Sequence, residues 1–298
     1  MKAMHPMKLK AYKRHDAWFM IAVYAFITLF VAMCTYPFLN VLAYSLSSNN
    51  AILSGSVNLY PIGFRLEAYE KILHTNLILN ALGISVQVTI LGTLLSLVVT
   101  VMAAYSLSKK RLKGRAFLTF FILFTMYFSG GIIPTFMVVK GLNLINKLGA
   151  LILPITVSAF NFIIMKAFFQ SLPQEIEESA TIDGCNDLHY LVKMALPLSK
   201  AILATIALFY AVMYWNDYFS SLLYINAPRM YPLQLLLRQL LFTEALSQVS
   251  TAENIGQQVM PESTKAAVVV VAIVPIVMIY PWLQKYFVKG VMLGSIKG

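Results

Sequence analysis

The sequence predicts an all-α polytopic membrane protein: six transmembrane helices with a polar cytoplasmic loop between the fourth and the fifth. Three observations predict it. Of 298 residues, 59% are hydrophobic and only 12% charged, where soluble domains carry about 25% charged residues, so polar surface is too scarce to coat a soluble particle. The mean hydropathy is +0.73, and no charge occurs between Asp16 and Arg65. Six apolar stretches recur, each of roughly 18 residues or more, enough to cross about 30 Å of hydrocarbon. Helices are required because backbone groups in lipid must satisfy one another, and the runs are too long for the ~10-residue alternating strands of a membrane barrel.

In chain order, residues 1–16 form a basic leader with Lys2, Lys8, Lys10, Lys13 and Arg14. The first span covers Ala17 to about Leu42. A loop with Asn49-Asn50, Gly55, Pro61 and Gly63 follows, with a short interfacial helix near Glu67–Leu73. The second span lies within Asn80–Leu107, ahead of the cluster Lys109, Lys110, Arg111, Lys113 and Arg115. The third runs from Ala116 to about Val139, interrupted by Gly130-Gly131 and Pro134. The fourth covers Leu148 to about Phe169, the fifth Ala201 to about Ile225, and the sixth Ala266 to about Gln284. The six-helix membrane body is thus 17–288, with a polar loop at 170–200, an outer loop at 226–265 and a basic tail at 289–298.

Basic residues set the orientation, because Lys and Arg are retained on the cytoplasmic side. The two termini and the loops at 108–115 and 170–200 hold fifteen basic residues; the opposite side holds seven. Both termini and the 170–200 loop are therefore expected in the cytoplasm. Nucleic-acid binding does not follow from the net charge of +11, since the basic residues border apolar spans and form no face of their own. Cys34 and Cys185 lie in different environments and fit no metal spacing. The first apolar run is too long for a cleavable signal peptide.

No catalytic constellation is present. His5, His15, His74 and His189 are scattered through ends and loops, and there is no phosphate-binding glycine loop. Gly83-Ile84-Ser85 lacks the glycine that would complete a serine-nucleophile motif and reads as a packing site between helices.

The polar loop carries the information. Residues 170–200 hold five of the twelve acids: Glu175, Glu177, Glu178, Asp183 and Asp187. Pro173-Gln174-Glu175 suits a helix start, with acids at the positive end of the dipole. Asp183-Gly184 marks a turn, Asn186 or Asp187 can cap a second helix to about Ala195, and Leu196-Pro197 ends it. The result is a helix–turn–helix at the membrane surface; taken by spacing alone, an ordinary structured loop remains open.

The segment resembles the EAA signature of permease subunits of bacterial ABC importers. Glu178-Ser179-Ala180 is followed after three residues by Gly184, and after nine more by Met194, Leu196 and Pro197. Ser179 and Met194 depart from the usual alanine and isoleucine without changing size or apolarity much. Trp215-Asn216-Asp217-Tyr218-Phe219, Tyr231-Pro232-Leu233-Gln234 and Tyr286-Phe287-Val288-Lys289-Gly290 extend the likeness to the LplC-like branch of carbohydrate-uptake permeases, akin to the MalG subunit of the maltose importer.

That resemblance implies a non-catalytic subunit in the bacterial cytoplasmic (inner) membrane. Its implied partners are a sister permease subunit, two cytoplasmic ATPases that hold ATP and Mg, and an extracytoplasmic solute-binding protein. It also implies that Glu178 pairs with a basic ATPase residue, that Ala180 packs into the ATPase cleft and that Gly184 makes the turn. Ser179, Asp183, Leu196 and Pro197 complete the coupling set. The solute is expected to be an oligosaccharide; the slight basic excess of the outer loops is compatible with an acidic one. Another polar solute is the alternative, and a membrane-embedded enzyme a more distant one.

Candidate solute-path residues are Trp215, Asn216 and Asp217 in span five and Asn161 in span four: an intramembrane acid marks function, and aromatic rings beside hydrogen-bonding groups suit a sugar. In the outer loop, Leu233–Leu246 is expected to form an amphipathic helix. Glu253, Asn254, Gly256 and Gln257 are the candidate contact with the binding protein.

Overall fold

The structure is a computed structural model that describes residues 14–249 and 261–294. All regular elements among the described residues are helical. Three helices are long and apolar enough to cross a membrane singly: α1 (Arg14–Ser45), α4 (Asn76–Ser108) and α15 (Glu262–Gly294). Three further spans exist only as broken pairs. α5 (Arg115–Tyr127) and α6 (Ile132–Gly141) meet at 116°. α7 (Leu148–Ile152) with its 3₁₀ turn meets α8 (Ala159–Ser171) at 54°. The segment 187–198 meets α12 (Lys200–Asn216) at 85°. Six spans are reached when each bent pair counts as one.

The breaks follow from local chemistry. Gly131 has φ +86° between α5 and α6, a backbone state that side chains resist. Ser158 caps α8, its hydroxyl accepting from the Asn161 N–H at 3.3 Å. Span five is shorter than the sequence suggests. α12 stops at Asn216, Asp217 turns extended (φ −76°, ψ 102°), and α13 (Phe219–Tyr224) is a separate short helix. The Asp217 carboxylate accepts from the Ser220 N–H at 3.1 Å, so this acid stands at a break between helices and caps α13.

Contacts divide the chain into two units: residues through Tyr69 with the stretch ending at Val270, and Glu70 onward with Val271 onward. In the first unit the loop after α1, which includes α2 (Asn49–Leu53), folds back on the helix end. Ile62 N–H donates to Ser47 Oγ at 3.0 Å and Arg65 N–H to the Leu46 carbonyl, also at 3.0 Å, above a small cluster of Ala43, Ile52 and Val57. From Trp18 to Leu42, α1 is apolar and has no buried residue.

The second unit holds the main core, built where α4 packs on α8 and α12. It begins within α3 (Glu67–His74), whose Lys71 and His74 stand in its last turn. Along α4, Gly92, Ser96, Thr100, Ala104 and Ser108 recur every fourth residue and are all buried. Small residues at this spacing let helices approach closely in a membrane. A Cβ on Gly92 would sit 2.6 Å from the Tyr214 ring. Two polar ties lock the seam: Ser96 Oγ and Tyr214 OH lie 2.8 Å apart, and Thr100 Oγ1 and Tyr210 OH 2.6 Å apart. Tyr214 OH also donates to the Ile152 carbonyl at 3.2 Å, and Tyr210 OH accepts from Ser158 N–H at 3.1 Å. Gly83, expected to pack, meets nothing; its neighbour Ser85 is buried and accepts the Leu233 N–H at 2.8 Å, holding the start of α14 (Leu233–Val249).

The expected helix in the outer loop is therefore present, and Leu233, Leu235, Leu236 and Leu237 are buried in it. The leader lies outside the described residues except for Arg14–Asp16, which already belong to α1. The tail expected at 289–298 starts as helix: α15 continues to Gly294, beyond which the chain lies outside the described residues.

Candidate functional site

The polar segment folds into two helical arms joined by a tight turn. The first arm, α9, spans Gln174–Ile182, with Glu175 and Glu177 in its first turn. Its end follows a definite rule. Gly184 has φ +78°; its N–H donates to the Thr181 carbonyl at 3.0 Å, and Cys185 N–H donates to the Ala180 carbonyl at 2.9 Å. These are the two bonds of a Schellman cap, with glycine at the left-handed position and an apolar contact between the residue after it and the third helical residue from the end. Both Ala180 and Cys185 belong to the main core. The alanine–glycine spacing of the motif is thus the spacing a capped helix end requires.

The second arm starts as expected. The Asn186 side chain accepts from His189 N–H at 2.8 Å, capping α10 (Asp187–Tyr190). A widened turn over Leu191–Ala195 and a short α11 (Leu196–Leu198) continue it. The arm does not end at Leu196-Pro197. Pro197 falls in the first turn of α11, where no N–H is needed, and the break comes at Ser199, whose hydroxyl bonds to the Ala195 carbonyl at 2.6 Å. Leu196 packs on the main core and Pro197 is exposed.

The orientation of α9 corrects one expected contact. Ala180 is only 2% exposed and faces this chain's own core, so it is not available to a partner's cleft. The outward row is Glu175, Glu178, Ser179 and Ile182, spaced three or four apart on one face. Ile182 is 87% exposed. Sequence reasoning passed over it because an isoleucine in an apolar chain raises no signal until its neighbours are known to be solvated. Asp183 is also exposed, at the turn.

The structure adds an attachment that the sequence did not suggest. Lys109, just past the end of α4, lies 2.6 Å from Glu177 Oε2 and sits 4.3 Å over the Tyr105 ring and 5.0 Å from that of Tyr190. Arg111 pairs with the Asp187 carboxylate, and Tyr105 OH donates to the Asp187 carbonyl at 3.3 Å. Burial and the neighbouring Glu177 carboxylate push the Tyr190 hydroxyl above the usual phenol range. A cleft of about 800 Å³ opens beside these residues, lined among others by Lys110, Arg111, Glu178, Thr181 and Ile182. The basic loop and the acidic loop therefore stand at the same end of the second unit.

The four solute-path candidates are not gathered into one surface. Asn161 is buried in the first turn of α8. Trp215 is buried too, its indole N–H donating to the Ala272 carbonyl of α15 at 3.0 Å, so its ring packs between helices and offers no open stacking face. Asn216 is exposed and its amide donates to the Val212 carbonyl at 2.9 Å within its own helix. Asp217 caps α13. Arg238 of α14 lies 4.1 Å over the neighbouring Tyr218 ring. Glu253, Asn254, Gly256 and Gln257 lie outside the described residues.

Broken and continuous apolar helices, with a capped polar helix pair between two of the spans, are the elements of a membrane permease. Residues 96–293 match the family model described as the binding-protein-dependent transport system inner membrane component, and the chain belongs to that family. It is 46% identical over 281 residues to the polygalacturonan/rhamnogalacturonan transport system permease protein YtcP of Bacillus subtilis, covering 94% of this chain and 98% of that one. It is 44% identical to Protein LplC of the same organism over 90% of each chain. A chain of the crystal structure of a bacterial ABC transporter involved in the import of the acidic polysaccharide alginate superposes with a TM-score of 0.84 at 33% identity, covering 93% of this chain and 99% of that one. The protein is therefore an inner-membrane permease subunit of an ATP-binding-cassette importer, a non-catalytic part of a system that also comprises a partner permease, an ATPase and a binding protein.

Proposed function

We propose that this subunit conducts an acidic oligosaccharide, one bearing uronate units, into the cytoplasm. The observation that carries the reading is the near full-length likeness to a permease named for polygalacturonan and rhamnogalacturonan, joined by the structural likeness to an importer of alginate. The outer loops, with seven basic residues against Glu67, Glu70, Glu244, Glu253 and Glu262, fit that cargo, although such charges are screened beyond about 8 Å in physiological salt.

The coupling role belongs to the helix pair at 174–198. Glu178, Ser179 and Ile182 present the docking face to one of two ATPase subunits that hold ATP and Mg, while Asp183 and Gly184 form its turn. Ala180 and Leu196 shape the element from within, and the exposed Pro197 stands in the first turn of α11. Both termini and this element are cytoplasmic, a reading supported by the basic count and by the ion pairs between the 109–115 and 174–190 segments. Asn216 and Asp217, at the break after α12, remain the candidates nearest a solute path, and the 250–260 segment the candidate contact with the binding protein. The body is 17–288, with its cytoplasmic and outer loops as delimited above.

The test is reconstitution of the complete complex in liposomes with its binding protein. Oligogalacturonate should raise ATP hydrolysis and accumulate inside, whereas a neutral maltooligosaccharide should do neither. Stimulation by the neutral sugar alone would overturn the acidic cargo.

A further inference from the structure

The coupling pair is joined to its covalent neighbours only through bends. Leu172 and Pro173 run extended from α8, and the second arm meets α12 at 85°. Its firmest side-chain attachment is to a helix far away in sequence. Lys109 leaves the end of α4 in an extended conformation and is only 14% exposed. A lysine that buried is rare without a partner. Here one ammonium is satisfied by three elements at once: the Glu177 carboxylate from α9, the Tyr190 ring from α10, and the Tyr105 ring from α4 itself. Cation–π contacts of this kind strengthen as water is excluded. Tyr105 reinforces the joint from its other edge, packing on Phe169 at 5.7 Å and donating to the Asp187 carbonyl.

The geometry points to Lys109 and Glu177 as a latch that makes α4 move with the coupling pair. The inference rests on the coupling role given above. It assigns to α4 what the chain connectivity would assign to α8 and α12. α4 is suited to this role, because its 33 residues span about 50 Å as one helix. Along that length it holds Tyr210 and Tyr214 of α12 through Thr100 and Ser96, and the first residue of α14 through Ser85. A displacement imposed on α9 and α10 thus reaches both the core seam and the start of the outer helix through one rigid element. Lys109 is a positioning residue: it touches neither solute nor nucleotide.

Spatial continuity alone does not prove coupling, so the test is a double-mutant cycle on function. The complete complex with its ATPases is reconstituted in liposomes and given binding protein loaded with oligogalacturonate. Three quantities are read: ATPase retained on purification, ATP hydrolysed, and solute imported per ATP. Lys109→Met keeps the apolar stem and removes the charge; Glu177→Gln removes its partner. Each should retain the ATPase yet lower import per ATP by roughly fivefold, the low end of ordinary coupling strengths. The double variant should be no worse than either single one. Lys109→Arg should keep most of the import, and Lys110→Met, on the same cleft, all of it. The latch is refuted by single variants with wild-type import per ATP, by a double variant whose loss is the product of the two, or by loss of the ATPase from the Lys109→Met complex. Glu178→Lys separates the two readings. If it binds ATPase and imports normally, the coupling role itself is wrong; if it is defective while Lys109→Met is normal, only the latch fails.

Discussion

Replacing Gly184 isolates backbone strain at the coupling turn from every other effect. The residue holds φ +78°, and a Cβ built there meets nothing within 4 Å. A Cβ therefore meets no clash within this chain, and the cost of adding it is that of the left-handed backbone, roughly 1–2 kcal/mol for an ordinary residue. Asparagine visits that region readily; a β-branched residue is the least suited to it. If the ATPase binds only the capped form of α9, a shift of about 1–2 kcal/mol lowers its affinity by at most about 5–30-fold. The loss is smaller where the capped form is stable enough to absorb it. The assay is binding of the purified ATPase dimer to the solubilised permease pair, followed by import in liposomes. The expected order is glycine, then Gly184→Asn, then Gly184→Ala, then Gly184→Val. Gly184→Val indistinguishable from wild type would refute the argument, because the turn would then tolerate a residue its φ forbids. Equal loss in all three variants would also refute it, since that pattern belongs to a partner surface that excludes any side chain.

Other outcomes follow from the same geometry. Ile182→Asp should leave the melting temperature unchanged, because the side chain is 87% exposed, and should weaken ATPase retention on purification. Gly92→Ala should lower the melting temperature: its methyl would meet the Tyr214 ring, which two hydrogen bonds hold in place, and overpacking of this kind costs about 1–3 kcal/mol. A smaller residue at Tyr214 should recover part of that loss. Tyr210→Phe deletes the hydroxyl shared by Thr100 and the Ser158 N–H, leaving buried polar groups unpaired at a cost of about 1–3 kcal/mol, again read as a drop in melting temperature.

The parts of this protein that local rules govern were legible in its sequence. The apolar runs located the spans, Gly130-Gly131 marked the sharpest break, and Asn186 and Gly184 were recognisable as cap and turn because each acts within a few residues of itself. What the sequence misplaced depends on facing elements. Ala180 was assigned to a partner's cleft, yet it packs inward, because the phase of α9 is set by Tyr105, Tyr190 and Cys185 together. Asp217 was read as an acid within a span, but the helix ends one residue before it and the carboxylate caps the next. Trp215 was read as a sugar platform until Ala272 supplied its hydrogen-bond partner. Lys109 and Glu177 stand 68 positions apart; no spacing rule joins residues across two intervening spans, and each looked like one charge among several in its own cluster.

The buried row on α4 explains how one helix can serve such different neighbours. Residues four apart are about 400° apart around a helix, so each step of the row turns about 40° beyond a full circle. From Gly92 through Ser96, Thr100 and Ala104 to Ser108 the row winds by about 160°, yet every member is buried. A single straight partner helix could not cover it. Gly92 and Ser96 meet Tyr214, Thr100 meets Tyr210, and by Tyr105 and Lys109 the covered face has come round to the coupling pair. The small residues are thus required along the whole row for two reasons. In the middle they admit α12 at close range; at the end Ser108 borders the cleft that Lys109, Glu177 and Tyr190 also line. A row set every seventh residue would have held α12 alone and left the coupling pair with no purchase on α4. The spacing of four is what carries the buried row from the core seam to the end of α4 beside the pair at 174–198.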